Sequence, residues 1–345
     1  MALIFTEGFD AYGDPSASYI EPADIAARRG WLYLSGSIPA KEGRINGTSV
    51  ANFGPQKPRF LGSNTESTTV MGIAYMFAKA EALGGSYPIV IREDADVQLS
   101  VVLNSSGKLE VRRGTTTTLA TGTTVIKLKR WYYIELKSTI HQTTGSFELR
   151  IDGKTELSET GTDTQATSNA YANVFGFSST NTAVDSHRVD DMYVLDSTGT
   201  YNNDFLGPIH IETLFPDEDV TSQWSPSSGT DHYALVDENP CDNDTTYLED
   251  NVTGQRELFD WPALPPSAMT IVAVTSIVDS RVTDASSVDL KLVNVSGTTT
   301  TVGTAQTVAS ESFSCYEEMY EENPDSSSAW TKASLEAAKF GFEVG

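Results

Sequence analysis

The chain of 345 residues is long enough for two domains, each able to bury a core of its own. It carries 23 Lys and Arg against 47 Asp and Glu, a formal net charge of −24, which repels phosphate backbones and excludes nucleic-acid binding through a basic face. Hydrophobic residues at 39% and aromatics at 10% suffice for a packed interior, so the acidity is not that of a disordered tail.

The N-terminus, MALIFTEGFD, has a short apolar stretch and no basic flank, so it does not read as a signal peptide. No run approaches the roughly 18 apolar residues that cross a bilayer, and membrane insertion is not expected. A chain made in a cytosol is therefore predicted. Pro22 to Gly30, with Pro at its start and Gly after its end, predicts one short turn of helix. Short alternating runs separated by turn clusters dominate thereafter, the pattern of antiparallel sheets. Val97-Gln98-Leu99-Ser100-Val101, then the turn formers Asn104-Ser105-Ser106-Gly107, then Leu109-Glu110-Val111 reads as a hairpin. The threonines at 115–118, 121, 123 and 124 suit a solvated strand face or its turns. Trp131 to Lys137 is an aromatic-started strand. Gly145 to Ile151 turns Phe147, Leu149 and Ile151 inward and closes on the tight turn Asp152-Gly153.

This strand and hairpin resemble those of the concanavalin A-like or laminin G-like jelly-roll sandwich. Arg188 to Asp196 looks like that family's closing strand, entered by Asp190-Asp191, and Glu7-Gly8-Phe9-Asp10 would pair beside it at the sandwich edge. The resemblance implies a lectin-like jelly roll over residues 1–205, a fold rather than an activity.

Charge then changes abruptly. Residues 1–207 hold 18 basic and 23 acidic side chains, a net of −5, whereas residues 208–345 hold 5 and 24, a net of −19. The step falls at the polar turn formers and Gly-Pro of Asn202 to Pro208, which sets the expected domains at 1–205 and 206–345. Ser328 to Lys339 begins with a capping-type Ser, spaces Trp330, Ala333 or Ser334, Ala337 and Ala338 on one face, and stops at Gly341. It predicts a helix docked on the last sheet. The expected fold class is all-β: an N-terminal concanavalin A-like jelly-roll sandwich and a smaller acidic C-terminal β-sandwich with one terminal helix.

Catalytic signatures are sparse. A glycosidase needs two carboxylates about 5–9.5 Å apart across a cleft. Asp94 and Asp96 share a strand face by alternation, while the adjacent Asp190 and Asp191 point to opposite faces and cannot act together. The E-x-D-x-x-E strand of catalytic jelly-roll glucanases is absent. His141, His187, His210 and His232 sit beside turn residues without a nucleophile motif and read as solvated loop histidines. No nucleotide-binding loop occurs, and no enzyme is predicted. The only ion brought forward is calcium, because Asp237, Asp242 and Asp244 stand in a run of four acids and two Asn; a solvated acidic loop accounts for the same run. Trp224, Trp261 and Trp330 are candidate interface anchors, with core packing as the alternative. Cys241 and Cys315 lie far apart, in no C-x-x-C pair, and imply neither a disulfide framework nor a metal cluster.

The second part is similar to acidic C-terminal segments of structural proteins from tailed bacteriophages. The carriers are Asp204 to Gly207, Leu214-Phe215-Pro216, Thr221 to Trp224, Val236 to Pro240, Asp244 to Tyr247, and the ending Ala329 to Lys332 and Phe340 to Phe342. That resemblance implies a non-enzymatic virion structural protein located on the particle. It would be a tail appendage or fibre-type component, a homo-oligomer contacting other virion proteins and binding host-surface glycan; capsid decoration is the alternative placement. The competing class is a calcium-dependent carbohydrate-binding module or glycosidase. On the virion reading the second domain would dock on the particle or drive oligomerisation.

Overall fold

The computed structural model describes residues 2–13, 40–45, 48–51, 57–60, 64–79, 82–180, 187–265 and 270–345. The helical turn expected at Pro22 to Gly30 lies outside them. Two compact units divide the chain, Met1–Glu212 and Thr213–Gly345.

Unit 1 is a sandwich of two antiparallel sheets. In chain order its strands are β1 (Leu3–Glu7), β2 (Ala40–Glu42), β3 (Thr48–Ala51), β4 (Lys57–Phe60), β5 (Thr68–Phe77), β6 (Ser86–Glu93) and β7 (Asp96–Leu103). There follow β8 (Lys108–Arg113), β9 (Thr117–Val125), β10 (Trp131–Thr139), β11 (Gly145–Ile151), β12 (Lys154–Thr162), β13 (Val174–Ser179) and β14 (His187–Asp196). One sheet runs β12-β11-β10-β5-β14-β3-β2, with β1 added on β14, and the other runs β4-β13-β6-β7-β8-β9.

The strand sequences explain this order. β5, TTVMGIAYMF, is apolar on both faces and is buried after its first residue, as a central strand must be. Met71, Ile73, Tyr75 and Phe77 on one of its faces are fully buried, and Ile89, Ile91, Phe175 and Phe177 of the other sheet are equally enclosed. The other face of β5 carries Gly72, where a Cβ would lie 2.1 Å from Cε1 of Tyr193, so only glycine admits that ring. Asn104 to Gly107 joins β7 to β8 as expected, and Asp152-Gly153 joins β11 to β12 with both residues at positive φ, as a tight hairpin turn requires. The edge strand arrives earlier than expected: Leu3 to Glu7, not Glu7 to Asp10, pairs with Met192 to Leu195.

Unit 2 is also nearly all β. Its elements are β15 (Glu218–Ser222), β16 (Ser225–Pro226), β17 (Leu248–Glu249), β18 (Arg256–Asp260), β19 (Val274–Ser280), β20 (Val288–Ser296), β21 (Thr299–Val302), β22 (Gln306–Val308), β23 (Ser314–Tyr320), α1 (Lys332–Glu336) and β24 (Lys339–Val344). The main sheet runs β15-β18-β24-β20-β21 with β22 on β20, while β16-β17 and β19-β23 pair separately. Phe340 and Phe342, two apart on β24, enter two apolar clusters that Trp261 joins by packing against both.

The terminal helix is shorter than the sequence predicts. Thr331, not Ser328, is its N-cap: the Thr331 side chain accepts from Ser334 N–H, and the Ser334 hydroxyl accepts from Thr331 N–H. α1 spans only Lys332–Glu336, because Phe340-Gly341-Phe342-Glu343-Val344 alternates with the period of a strand and pairs with β18 and β20. Gly341 is needed there, since a Cβ would lie 2.0 Å from the Glu257 carbonyl oxygen. Among the described residues no helix is long and apolar enough to cross a membrane.

Candidate functional site

A concavity of unit 1 forms at the end of the β6-β7 hairpin. Glu93 pairs with Asp96, leaving Asp94-Ala95 as a two-residue turn with Asp94 at φ 50°. Strand alternation therefore does not relate Asp94 to Asp96 as the sequence suggests; one lies in the turn and the other opens β7. The turn is held from both sides. Arg92 donates to the Ala95 carbonyl at 2.6 Å, Asp94 N–H donates to Asn173 Oδ1 at 2.8 Å, and Asn173 Nδ2 returns a bond to Asp94 Oδ1 at 2.8 Å.

The facing wall is the loop Ala166 to Tyr171, organised by one buried side chain. Gln98, fully enclosed in β7, donates to Thr167 Oγ1 at 2.7 Å, to the Asn169 carbonyl at 2.7 Å and to the Tyr171 carbonyl at 3.2 Å. Its Oε1 accepts from Ala166 N–H at 2.8 Å and Thr167 N–H at 3.2 Å. The sequence marks Gln98 only as a polar position in an alternating strand; nothing local shows that it fastens a loop about seventy residues away. A third wall comes from Gly114-Thr115, where Gly114 N–H donates to the Gln98 carbonyl at 2.8 Å.

These walls enclose an open cavity of 710 Å³ lined by Glu93 to Val97, Gly114, Thr115 and Ala166 to Ser168. Asp94 and Asp96 are exposed. Glu93 is engaged by its rim, accepting from the Thr167 hydroxyl and from Asn169 Nδ2. The half-buried Tyr171 phenol is pushed up by desolvation and then by the charges of Glu93 and Asp94, which keeps it a hydrogen-bond donor. The groove thus offers the exposed carboxylates of Asp94 and Asp96 and the hydroxyls of Thr115 and Ser168 on a fixed frame.

A second acidic cluster, on the β5-β10-β14 sheet, overturns the expectation for Asp190 and Asp191. β14 bulges between Asp190 and Tyr193, and Asp191 takes a φ of 47°, so the two carboxyls are not sent to opposite faces in the manner of a regular strand. Both are buried and both meet Arg44: its backbone N–H donates to Asp190 Oδ2 at 2.7 Å, and its Nε to Asp191 Oδ2 at 2.7 Å. Desolvation, and then the Asp191 charge, push Asp190 up to about 8. Residues 204–211 cover this cluster. Ile211 N–H donates to Asp191 Oδ1 at 2.8 Å, Gly207 N–H to Glu135 Oε1 at 2.9 Å, and Leu206 N–H to the Tyr193 hydroxyl at 3.1 Å. Tyr193 in turn donates to Glu135 Oε1 at 2.6 Å, and burial raises the Glu135 carboxyl.

Three of the four histidines are not the solvated loop residues expected. His187 is buried and stacks on Tyr75 with centroids 5.5 Å apart. His210 Nδ1 lies 3.1 Å from Asp191 Oδ1 and its Nε2 3.0 Å from Glu212 Oε2. His232 is buried in unit 2 with Nδ1 3.0 Å from Glu257 Oε2. Only His141 is exposed, accepting from Thr143 and Thr144 N–H, each at 3.0 Å.

The sequence-predicted residues of unit 2 are dispersed. Asp237 is exposed, Asp242 accepts from the Thr246 hydroxyl at 2.8 Å, and Asp244 pairs with Arg281 at 2.7 Å. Among the described residues no three His, Cys, Asp or Glu side chains are gathered so as to hold a metal ion. Trp330 is buried and donates to the Tyr320 carbonyl at 3.0 Å. Trp224 donates to the Gln255 carbonyl at 3.1 Å and meets the Phe342 ring edge-on at 4.8 Å, and Trp261 packs on Phe340. Trp330 is thus a core side chain, and Trp224 and Trp261 are half-buried against the apolar clusters.

No model of a known protein family matches the chain, and no curated protein does. Solved structures match about half of the chain. The cellulose-induced protein Cip1 is 13% identical with a TM-score of 0.38, over 56% of this chain and 97% of its own. Domain 4 of the arabinanase AbnA from Geobacillus stearothermophilus, solved with arabinotriose, is 14% identical with a TM-score of 0.37, over 56% and 92%. Trypanosoma rangeli sialidase is 11% identical with a TM-score of 0.33, over 48% of this chain and only 29% of the sialidase. Likenesses of this degree carry no argument about activity, so the groove must speak for itself.

Proposed function

We propose that unit 1 is a carbohydrate-binding module that holds its ligand in the β6-β7 groove without turning it over. The observation that carries the reading is the preformed polar cavity, whose facing loop is fastened from beneath by Gln98. Sugar hydroxyls both donate and accept, so they need carboxylates, hydroxyls and amides held at fixed positions, and a wall fixed beforehand lowers the ordering cost of binding. Asp94, Asp96, Thr115 and Ser168 supply those groups. Binding without hydrolysis is supported by the occupation of the acids: both Glu93 oxygens and one of Asp94 are engaged by side chains of the rim. The setting we propose is a repeated virion surface component of tail-appendage type, as the sequence resemblance implies. There, weak single sites would sum to useful avidity.

Glycan-array binding by the full chain, followed by calorimetry on the best ligand, tests the reading. Asp96→Asn should lower affinity about tenfold, roughly 1.4 kcal/mol, with the unfolding midpoint unchanged. Reducing ends should not accumulate. Turnover abolished by Asp96→Asn would replace the binding module by an enzyme, and an array without bound glycan would remove the carbohydrate reading altogether. Immunogold labelling of phage particles tests the virion setting separately.

A further inference from the structure

Cys241 and Cys315 are remote in sequence, yet the fold of unit 2 sets both beside one carboxylate. β19 and β23 pair in register from Val274↔Tyr320 to Ser280↔Ser314, which places Asp279 directly opposite Cys315. Directly opposed residues of an antiparallel pair project to the same face, with Cα atoms about 4.5–5.5 Å apart. Cys241 arrives on the same side chain from a different part of the chain: its Sγ donates to Asp279 Oδ2 at 3.4 Å. Asp279 is thus flanked by one thiol across the strand pair and by the other from the loop between residues 236 and 247.

That loop is also pinned independently of the sulfur. Arg281, two residues beyond Asp279, binds Asp244 in the same loop at 2.7 Å through a guanidinium that donates with Nε and Nη2 to one oxygen. Cys241 is therefore held near β19 by its own Sγ and by the Asp244–Arg281 pair three residues further on. A disulfide requires Cα atoms about 4.4–6.8 Å apart, so closing one would need the Cys241 and Cys315 side chains to turn toward each other past the short Asp279 carboxylate. Both residues are half-buried.

We propose that Cys241 and Cys315 close a reversible intramolecular disulfide that locks the 236–247 loop onto the β19-β23 pair. The oxidant is a small disulfide such as glutathione disulfide. One Cys thiolate attacks it, its S–S bond breaks, and one glutathione leaves as a thiolate that takes up the proton. The second Cys thiolate then attacks the mixed disulfide at the protein sulfur and expels the second glutathione. Two protein thiols become one disulfide while glutathione disulfide is reduced to two glutathione molecules. Cross-linking residues so far apart restricts the unfolded chain strongly, so the oxidised form should melt several degrees higher.

The test equilibrates the full chain in glutathione buffers of graded redox potential and counts thiols after denaturation, with intact-mass and peptide mapping. Both thiols should vanish together, the mass should fall by two hydrogens, and one cross-linked peptide should contain both positions. Cys241→Ser and Cys315→Ser, each keeping a single thiol, should instead carry one glutathione and show no redox-dependent melting. Two thiols persisting under oxidising conditions, separate glutathione adducts on both cysteines of the unaltered chain, or disulfide-linked dimers would each overturn the proposal.

Discussion

The groove at the β6-β7 turn and the covered cluster beneath residues 204–211 present carboxylates in opposite surroundings. In the groove, Asp94 and Asp96 face solvent and the backbone around them is held by Asn173 and Gln98. In the cluster, Glu135, Asp190 and Asp191 are enclosed, and burial raises Glu135 and Asp190. A perturbed acid in a cleft is a good marker of chemistry. Here burial is the first cause for both acids, the Asp191 charge adds to it at Asp190, and the Gly207 amide that Glu135 binds pulls Glu135 the other way. The comparison teaches that the enclosed acids of unit 1 fasten its C-terminal segment, while Asp94 and Asp96 of the groove remain exposed.

The largest effect that can break this contrast is expected at Asp191. Its carboxylate accepts from Arg44, Ile211 N–H and His210, so Asp191→Ala strands a guanidinium and an amide in a buried space. Removing one partner of a buried ion pair costs about 3–5 kcal/mol, and denaturant unfolding of unit 1 should shift by that amount. A loss below about 1 kcal/mol would mean that water replaces the carboxylate freely and the cluster is not sealed. Gln98 sharpens the other half. Gln98→Ala leaves the amides of Ala166 and Thr167 and the carbonyls of Asn169 and Tyr171 without their partner, in a loop that water can partly reach. A cost of about 2 kcal/mol is expected, with faster proteolysis between residues 163 and 171 and weakened glycan binding. Intact proteolytic resistance in this variant would show that the groove wall does not depend on Gln98.

Much of the fold was legible because it was local. Period-2 alternation in Gly145 to Ile151 and positive-φ turn formers such as Asp152-Gly153 locate β11 and its hairpin without any tertiary knowledge. The terminal helix is less legible because Ser328 and Thr331 are both good caps, and β24, whose Phe340 and Phe342 have long-range partners in the sheet, decides between them. The site was harder to see. A bulge at Asp191 reverses an alternation argument, and no sequence signal distinguishes a bulged Asp-Asp pair from a regular one. Gln98, and the shared position of Cys241 and Cys315 at Asp279, depend on register between distant segments. The histidines fell to the same difficulty: proximity to turn residues predicts exposure, but His187 and His232 are buried by strands remote in sequence.

The smallest expected effect is the pH dependence of the covering segment, and its sign follows from two groups. The hydrogen bond to Asp191, outweighing desolvation, raises His210 from 6.5 to about 9, so the folded chain keeps a proton that the unfolded chain releases above about 6.5. Stability from this group is complete below pH 6.5 and disappears as pH rises through 9. Asp190, raised from 3.8 to about 8, acts in the same direction, because it too is protonated in the folded state over a range where the unfolded chain is not. Unit 1 should therefore weaken steadily between pH 6.5 and 9. With the His210 side chain 24% exposed, solvent screening reduces its share to about 1–2 kcal/mol. His210→Gln should flatten the part of the slope above pH 8, where Asp190 has already lost its proton, and leave the part below pH 6.5 unchanged. Stability that rises with pH over this window would place the positive charge of His210 away from Asp191, and the covering segment would then be held by its amides alone.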